Sequence, residues 1–174
     1  MTSRRERALA SIVVTRMKMA VPPMKVWQSL LFFEDVAERP ALPLRILLPS
    51  PIRTEGRKTE VGDEARCLYT GGHLLKRLVR IDEGRLYRFE VIEQALDVGR
   101  GIRLLGGAYE LRDLPDGATV VAVETRYESP RWPRWLWAPI EGAVCHLFHR
   151  HLLTAIRRRS VEAQATTGSA EAGR

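Results

Sequence analysis

The stretch Ser11 to Leu31, SIVVTRMKMAVPPMKVWQSLL, decides the fold. In its first half the apolar side chains favour odd positions, Val13, Met17, Met19 and Val21, with Arg16 and Lys18 between them. A period of two is a strand with one buried face. Pro22 and Pro23 stop that strand, and proline is tolerated in the first turn of a helix, where its missing N–H is not needed. Met24, Val26, Trp27, Leu30 and Leu31 then recur at helical spacing, so a short helix follows with Trp27 on its buried side.

Outward from this junction the signals change. Between Phe32 and Pro51 four prolines, Pro40, Pro43, Pro49 and Pro51, cut an apolar stretch into pieces. A second short helix near Glu34 to Glu38 fits there, and the rest reads as irregular cover. Beyond Ile52, turn chemistry recurs at Gly62-Asp63, Gly71-Gly72, Asp82-Glu83-Gly84, Gly99 to Gly101 and Pro115-Asp116-Gly117, because glycine permits positive φ and Asp bonds nearby backbone. The segments between, Glu64 to Thr70, His73 to Ile81, Arg85 to Glu93, Ile102 to Asp113 and Ala118 to Glu128, are predicted strands of an antiparallel meander. Pro130 and Pro133 mark the exit from the sheet. From Trp135 to about Val161 the only glycine is Gly142, and a stretch so poor in breakers predicts one long helix. The expected organisation is a flexible basic N-terminus at 1–8, one domain at 9–162, and a tail at 163–174 whose Ala, Thr, Ser, Gly and Glu composition predicts disorder.

With 174 residues, 45% hydrophobic and 28% charged, the composition is that of a soluble globular domain. Apolar runs fall far short of the roughly 18 residues of a spanning helix. The basic start MTSRRERALASIVV leads into a stretch interrupted by Thr15, Arg16 and Lys18, which reads as a strand and not as a signal peptide, so a cytoplasmic location is expected. Cys67 and Cys145 are too few for a disulfide framework or a cysteine metal site and read as small buried hydrophobes. The net charge of +7 owes much to Arg4, Arg5 and Arg7 at one end and Arg157, Arg158 and Arg159 near the other, which read as solvated ends. No helix-turn-helix or basic-aromatic RNA pattern is present, so specific nucleic-acid binding is not expected. Phosphate loops, dinucleotide fingerprints and serine elbows are absent too. Gly101-Ile102-Arg103-Leu104-Leu105-Gly106-Gly107 falls inside a strand pattern and suggests a bulge.

The order strand, helices, meander, long final helix, together with Val21-Pro22-Pro23-Met24-Lys25-Val26-Trp27-Gln28-Ser29-Leu30 and the Val61-Gly62-Asp63 turn, resembles the START-like, or Bet v 1-like, superfamily that includes polyketide cyclases and dehydrases. The likeness covers about residues 9 to 160. It implies an α+β helix-grip fold: a curved antiparallel sheet wrapped around a long C-terminal helix over a cavity, with two short helices after the first strand. Members include lipid carriers, hormone receptors and aromatic cyclases, so the fold selects no reaction.

In such an architecture the apolar face of each strand points inward. That face is predicted as Val13, Met17 and Met19; Ala65, Cys67 and Tyr69; Leu75, Val79 and Ile81; Tyr87, Phe89 and Val91; Leu105, Tyr109 and Leu111; and Val121, Val123 and Tyr127. The polar groups riding on it are Thr15, Tyr69, His73, Arg77, Tyr87, Tyr109, Thr125 and Tyr127. Each tyrosine is either a satisfied core hydroxyl or a ligand contact. Arg77 would need an acidic partner if it points inward, or reaches water from a strand end.

On the last helix, about 100° per residue puts Leu136, Ile140, Ala143, Val144, Leu147 and Phe148 on one arc with His151 near its middle. His151 is thus the candidate acid or base, or a core histidine bonded to a tyrosine. His146 and His149 are expected on the polar side, three apart but with no third ligand at helical spacing, so no metal and no cofactor is expected. Ser129-Pro130-Arg131-Trp132-Pro133-Arg134-Trp135-Leu136-Trp137 places Trp137 and its neighbours over the cavity mouth, where they close on a ligand, touch a membrane surface as a peripheral contact, or cap the sheet edge. The favoured function is binding of a hydrophobic small molecule, a lipid or an aromatic, polyketide-like compound, with Tyr69, Arg77, Tyr87, Tyr109, Thr125, Tyr127, Trp137 and His151 as the candidate contacts. The alternative is a cyclase or dehydratase using acid/base residues of the same cavity.

Overall fold

The computed structural model describes residues 10–33, 51–69, 71–96 and 101–171. The opening alternation forms β1 (Ala10–Met19), with Val13 and Met19 buried on one face and Ile12, Arg16 and Lys18 outside the core on the other. Helix α1 (Pro23–Phe33) starts on the Pro22 carbonyl, which accepts the N–H groups of Lys25 at 3.1 Å and Val26 at 3.3 Å. Its spacing buries Val26, Trp27 and Leu30 together. The second short helix expected near residues 34–38 lies outside the described residues.

The meander follows as β3 (Glu64–Tyr69), β4 (Gly72–Asp82), β5 (Leu86–Ala95), β6 (Arg103–Asp113) and β7 (Thr119–Glu128), preceded by β2 (Pro51–Gly56). All pair antiparallel in one seven-stranded sheet of order β1-β7-β6-β5-β4-β3-β2. The first and last strands of the chain are therefore neighbours, and β1 and β2 are the edges. Strand β2 has no counterpart among the predicted strands. Its Arg53 and Glu55 are exposed and form an ion pair, and a polar edge strand shows no apolar alternation to read. Helix α2 (Arg134–Glu171) crosses β1 and β7 and packs on α1, running on into the stretch where the composition predicts a tail. The Pro133 carbonyl starts it, accepting from Leu136 and Trp137, both at 3.2 Å. Pro139, which the helix expectation did not reckon with, sits in its second turn and forgoes one backbone donor without ending it.

On β4 the face assignment is corrected. Leu74 and Leu78 are the buried residues, not Leu75 and Val79, and Ile81 rejoins the core only past an irregularity between Leu78 and Arg80. One extra residue there reverses the alternation. The turn before β3 is bonded to the same place: Gly62 N–H donates to the Leu78 carbonyl at 2.7 Å and Leu78 N–H to the Asp63 carbonyl at 2.9 Å. The Asp63 carboxylate accepts the N–H groups of Glu60 and Thr59, both at 3.0 Å, which hold its carboxyl below the usual range. As a result Lys76, between Leu74 and Leu78, points inward and Arg77 points out.

The core lies between the sheet and both helices: Met19, Val21, Tyr87, Tyr109, Leu111, Val121 and Val123 from the sheet side against Trp27, Leu30, Leu153 and Ile156. Each such burial contributes roughly 1.5–3 kcal/mol. Tyr87 is central, its ring centroid 6.4 Å from Trp27, 6.3 Å from Phe89 and 6.2 Å from Tyr109. Beside it Phe89 lies against Gly107, where a Cβ would come within 2.6 Å of the Glu124 carbonyl oxygen and 3.0 Å of the Phe89 ring. A Gly107→Ala variant is expected to lose about 1–3 kcal/mol in urea unfolding through this overpacking; wild-type stability would refute the close approach.

Candidate functional site

The side of α2 that meets the sheet is a mixed polar and apolar stripe: Glu141, His149, Leu153, Ile156 and Ser160 are buried, with half-buried Cys145 between them. This reverses the predicted arc. Leu136, Ile140 and Leu147 are exposed, and His149, expected on the polar side, is 0% exposed. The reason is that the sheet offers hydroxyls at this place. Thr15 of β1 and Thr125 of β7 both lie on the inward, odd-numbered face, and a polar helix residue buried against them finds its hydrogen bonds.

His149 Nδ1 lies 2.9 Å from Thr15 Oγ1 and its Nε2 lies 2.8 Å from Thr125 Oγ1. Thr15 Oγ1 is also 2.7 Å from Nδ1 of the exposed His146. Thr15 has a single hydroxyl hydrogen, so one of these two nitrogens accepts from it and the other donates to it. If His149 carries its proton on Nδ1, Thr15 donates to His146 and Thr125 donates to His149 Nε2; in the other tautomer every direction reverses. Both ring nitrogens are satisfied with the ring neutral. Burial, and then the neighbouring His146, push the His149 pKa down to about 4. Cys145 Sγ is 3.5 Å from His149 Nε2, and burial pushes its thiol up. A weakly basic imidazole beside a protonated thiol is poor equipment for base or nucleophilic catalysis and good equipment for holding a helix in place.

Towards the start of α2 a second buried cluster acts in the same way. Ser129 Oγ donates to Glu141 Oε1 at 2.6 Å, Arg134 Nη1 donates to Glu141 Oε2 at 2.9 Å, and Arg134 Nη2 donates to Ser11 Oγ at 3.2 Å. The buried carboxylate thus has hydrogen bonds on both oxygens, as its desolvation requires. Burial and the charge of Glu141 hold the Tyr127 hydroxyl above its usual range.

The rotation of α2 follows. His146 meets the edge strand β1, His149 meets β1 and β7, and Glu141 meets the end of β7. Continuing round the helix at about 100° per residue, Trp137, Val144, Phe148 and His151 share a flank beside the buried stripe, and all four are half-buried. On the strands, Tyr69, Lys76, Phe89, Val91, Leu105 and Thr125 are half-buried as well. Lys76 Nζ sits 4.5 Å over the centre of the Phe89 ring. The predicted site residues therefore separate. Tyr69, Thr125, Trp137 and His151 are half-buried. Tyr87 and Tyr109 lie deeper, in the packed core, and Tyr127 beside the Glu141 cluster. Arg77 is exposed and holds Glu64 Oε1 through Nε at 3.0 Å and Nη2 at 2.7 Å. His73 bonds Glu93 at 2.7 Å. Sequence reasoning missed Lys76 and His149; the inward threonines on β1 and β7 were the available sign of the latter. Among the described residues no three His, Cys, Asp or Glu side chains converge as a metal site would need.

A curved antiparallel sheet closed on a long terminal helix defines an α+β helix-grip protein. The chain superposes on TTHA0849 from Thermus thermophilus with a TM-score of 0.59 and 18% identity over 88% of this chain and 99% of that one. For the Zhui aromatase/cyclase from a Streptomyces species the TM-score is 0.61 at 16% identity, covering 87% and 94%. For Ara h 8.0201 it is 0.55 at 13%, covering 88% and 99%. The chain shares its helix-grip fold with these structures. No protein-family model matches the sequence, and no curated protein matches it.

The depressed His149 pKa makes stability depend on pH with a definite sign. As pH falls below the ordinary value of 6.5 the unfolded chain takes up the proton first, so stability is lost between 6.5 and about 4 and is independent of this group above that window. The expected loss is about 3 kcal/mol. A His149→Leu variant should flatten this part of the urea-unfolding pH profile and, by leaving two hydroxyls short of a partner, cost about 2–4 kcal/mol at neutral pH. An unchanged profile would contradict the buried neutral imidazole.

Proposed function

We propose that the protein binds an apolar small molecule bearing an acidic group at the half-buried end of the grip. One observation carries the reading. The polar stripe seats α2 on β1 and β7, and Trp137, Val144, Phe148 and His151 of the helix and Phe89, Leu105 and Tyr69 of the sheet are left half-buried; in this reading the two sets are the walls of one ligand site. Apolar walls with a few polar groups suit a ligand chosen by shape and a small number of hydrogen bonds. The polar groups here are Lys76, Thr125, His151 and the Tyr69 hydroxyl. Lys76, a cation inside the apolar face and stacked on Phe89, favours a carboxylate or phenolate on the ligand. Catalysis of the cyclase type has weaker support, since the best-placed buried histidine is spent on Thr15 and Thr125. His151 remains the residue an acid/base reading would use.

Titration with fluorescent cis-parinaric acid should give saturable binding with Kd on the order of micromolar, and the methyl ester should bind about tenfold more weakly. A Lys76→Met variant should erase the difference between acid and ester, whereas Val144→Trp should block both. If neither acid nor ester binds, or if Val144→Trp binds like wild type, the site is elsewhere.

A further inference from the structure

The outward face of α2 and the loop before it carry exposed apolar residues that the ligand site does not use. Trp132, just before the helix, is 83% exposed and Trp135, in its first turn, is 77% exposed. Leu136, Ile140 and Leu147 continue the exposure, joined by the small Ala143. At about 100° per residue these aliphatic residues form one stripe, and further along the helix the same side carries Arg150, Arg157 and Arg158, all exposed. The only carboxylate of α2 between Arg134 and Val161 is Glu141, which is buried on the opposite side. The exposed face is thus aromatic and aliphatic at its start, basic further on, and free of negative charge over that length.

We propose that this face lies on an anionic lipid surface, with Trp132, Trp135, Leu136 and Ile140 entering the headgroup boundary and the arginines resting on the phosphates. Tryptophan is suited to that boundary because its ring is apolar and its N–H can stay wet. An interfacial helix of this kind binds through buried apolar area and through attraction of its basic residues to anionic headgroups. No described helix is long and apolar enough to cross a membrane, so the contact is peripheral. It would hold the half-buried end of the grip close to a source of apolar ligand, and it uses different residues from the ligand site.

The test is co-sedimentation of the full chain with vesicles of phosphatidylcholine alone and of equimolar phosphatidylcholine and phosphatidylglycerol, with tryptophan emission read in parallel. Binding to the anionic vesicles with a blue shift is expected, falling as salt rises. The Trp132→Ser/Trp135→Ser variant alters only exposed side chains, so it should keep the wild-type thermal midpoint and bind about tenfold more weakly or not at all. Arg150→Gln/Arg157→Gln should weaken anionic binding about fivefold per charge and leave any neutral-vesicle binding unchanged. The proposal is overturned if wild type ignores both vesicles, or if the tryptophan variant binds as well as wild type. It is equally overturned if wild type is a dimer that the tryptophan variant dissolves, because a second copy would then cover this face.

Discussion

The bonds from His149 to Thr15 and Thr125 set the rotation of the terminal helix, and the use of every other surface of that helix follows from them. An amphipathic helix laid on a sheet by apolar contact alone would turn its largest aliphatic stripe inward. Here hydroxyls at Thr15, Thr125 and Ser129 meet an imidazole at His149 and a carboxylate at Glu141. A buried polar group without a partner costs more than an exposed leucine, so the matched polar stripe wins the sheet and the aliphatic stripe is turned out.

Two surfaces with different chemistry result. One flank of α2, carrying Trp137, Val144, Phe148 and His151, is half-buried, while Leu153 and Ile156, further along, pack with Trp27 and Leu30 in the core. The outward face carries exposed aliphatic residues and then arginines. Both surfaces depend on the same rotation, and neither would exist with the helix turned half-way round.

The architecture was legible in the sequence because it rests on local signals. The odd-numbered alternation of β1, the Pro22-Pro23 start of α1, and glycine-bearing turns between β3 and β7 each reflect backbone preferences that hold without tertiary context. The polar edge strand β2 was not legible, since a strand with little burial carries little pattern. On β4 a single extra residue between Leu78 and Arg80 exchanged the two faces, which moved the inward cation from Arg77 to Lys76. Side-chain alternation cannot foresee where a strand bulges, because the bulge is bonded in place by a turn from elsewhere, through Gly62 and Asp63.

What the amino-acid order determined by itself is the set of elements, their sequence along the chain and the class of fold they build, since helix and strand periods, proline stops and glycine turns act over a few residues. What only the tertiary structure decided is which side of α2 meets the sheet, which cation of β4 faces inward, and which aromatic residues are packed core and which are half-covered wall. Those depend on partners far apart in the chain, Thr15 and Thr125 with His149 above all, and a hydrogen bond that makes a polar residue welcome inside leaves no mark on the hydrophobic period.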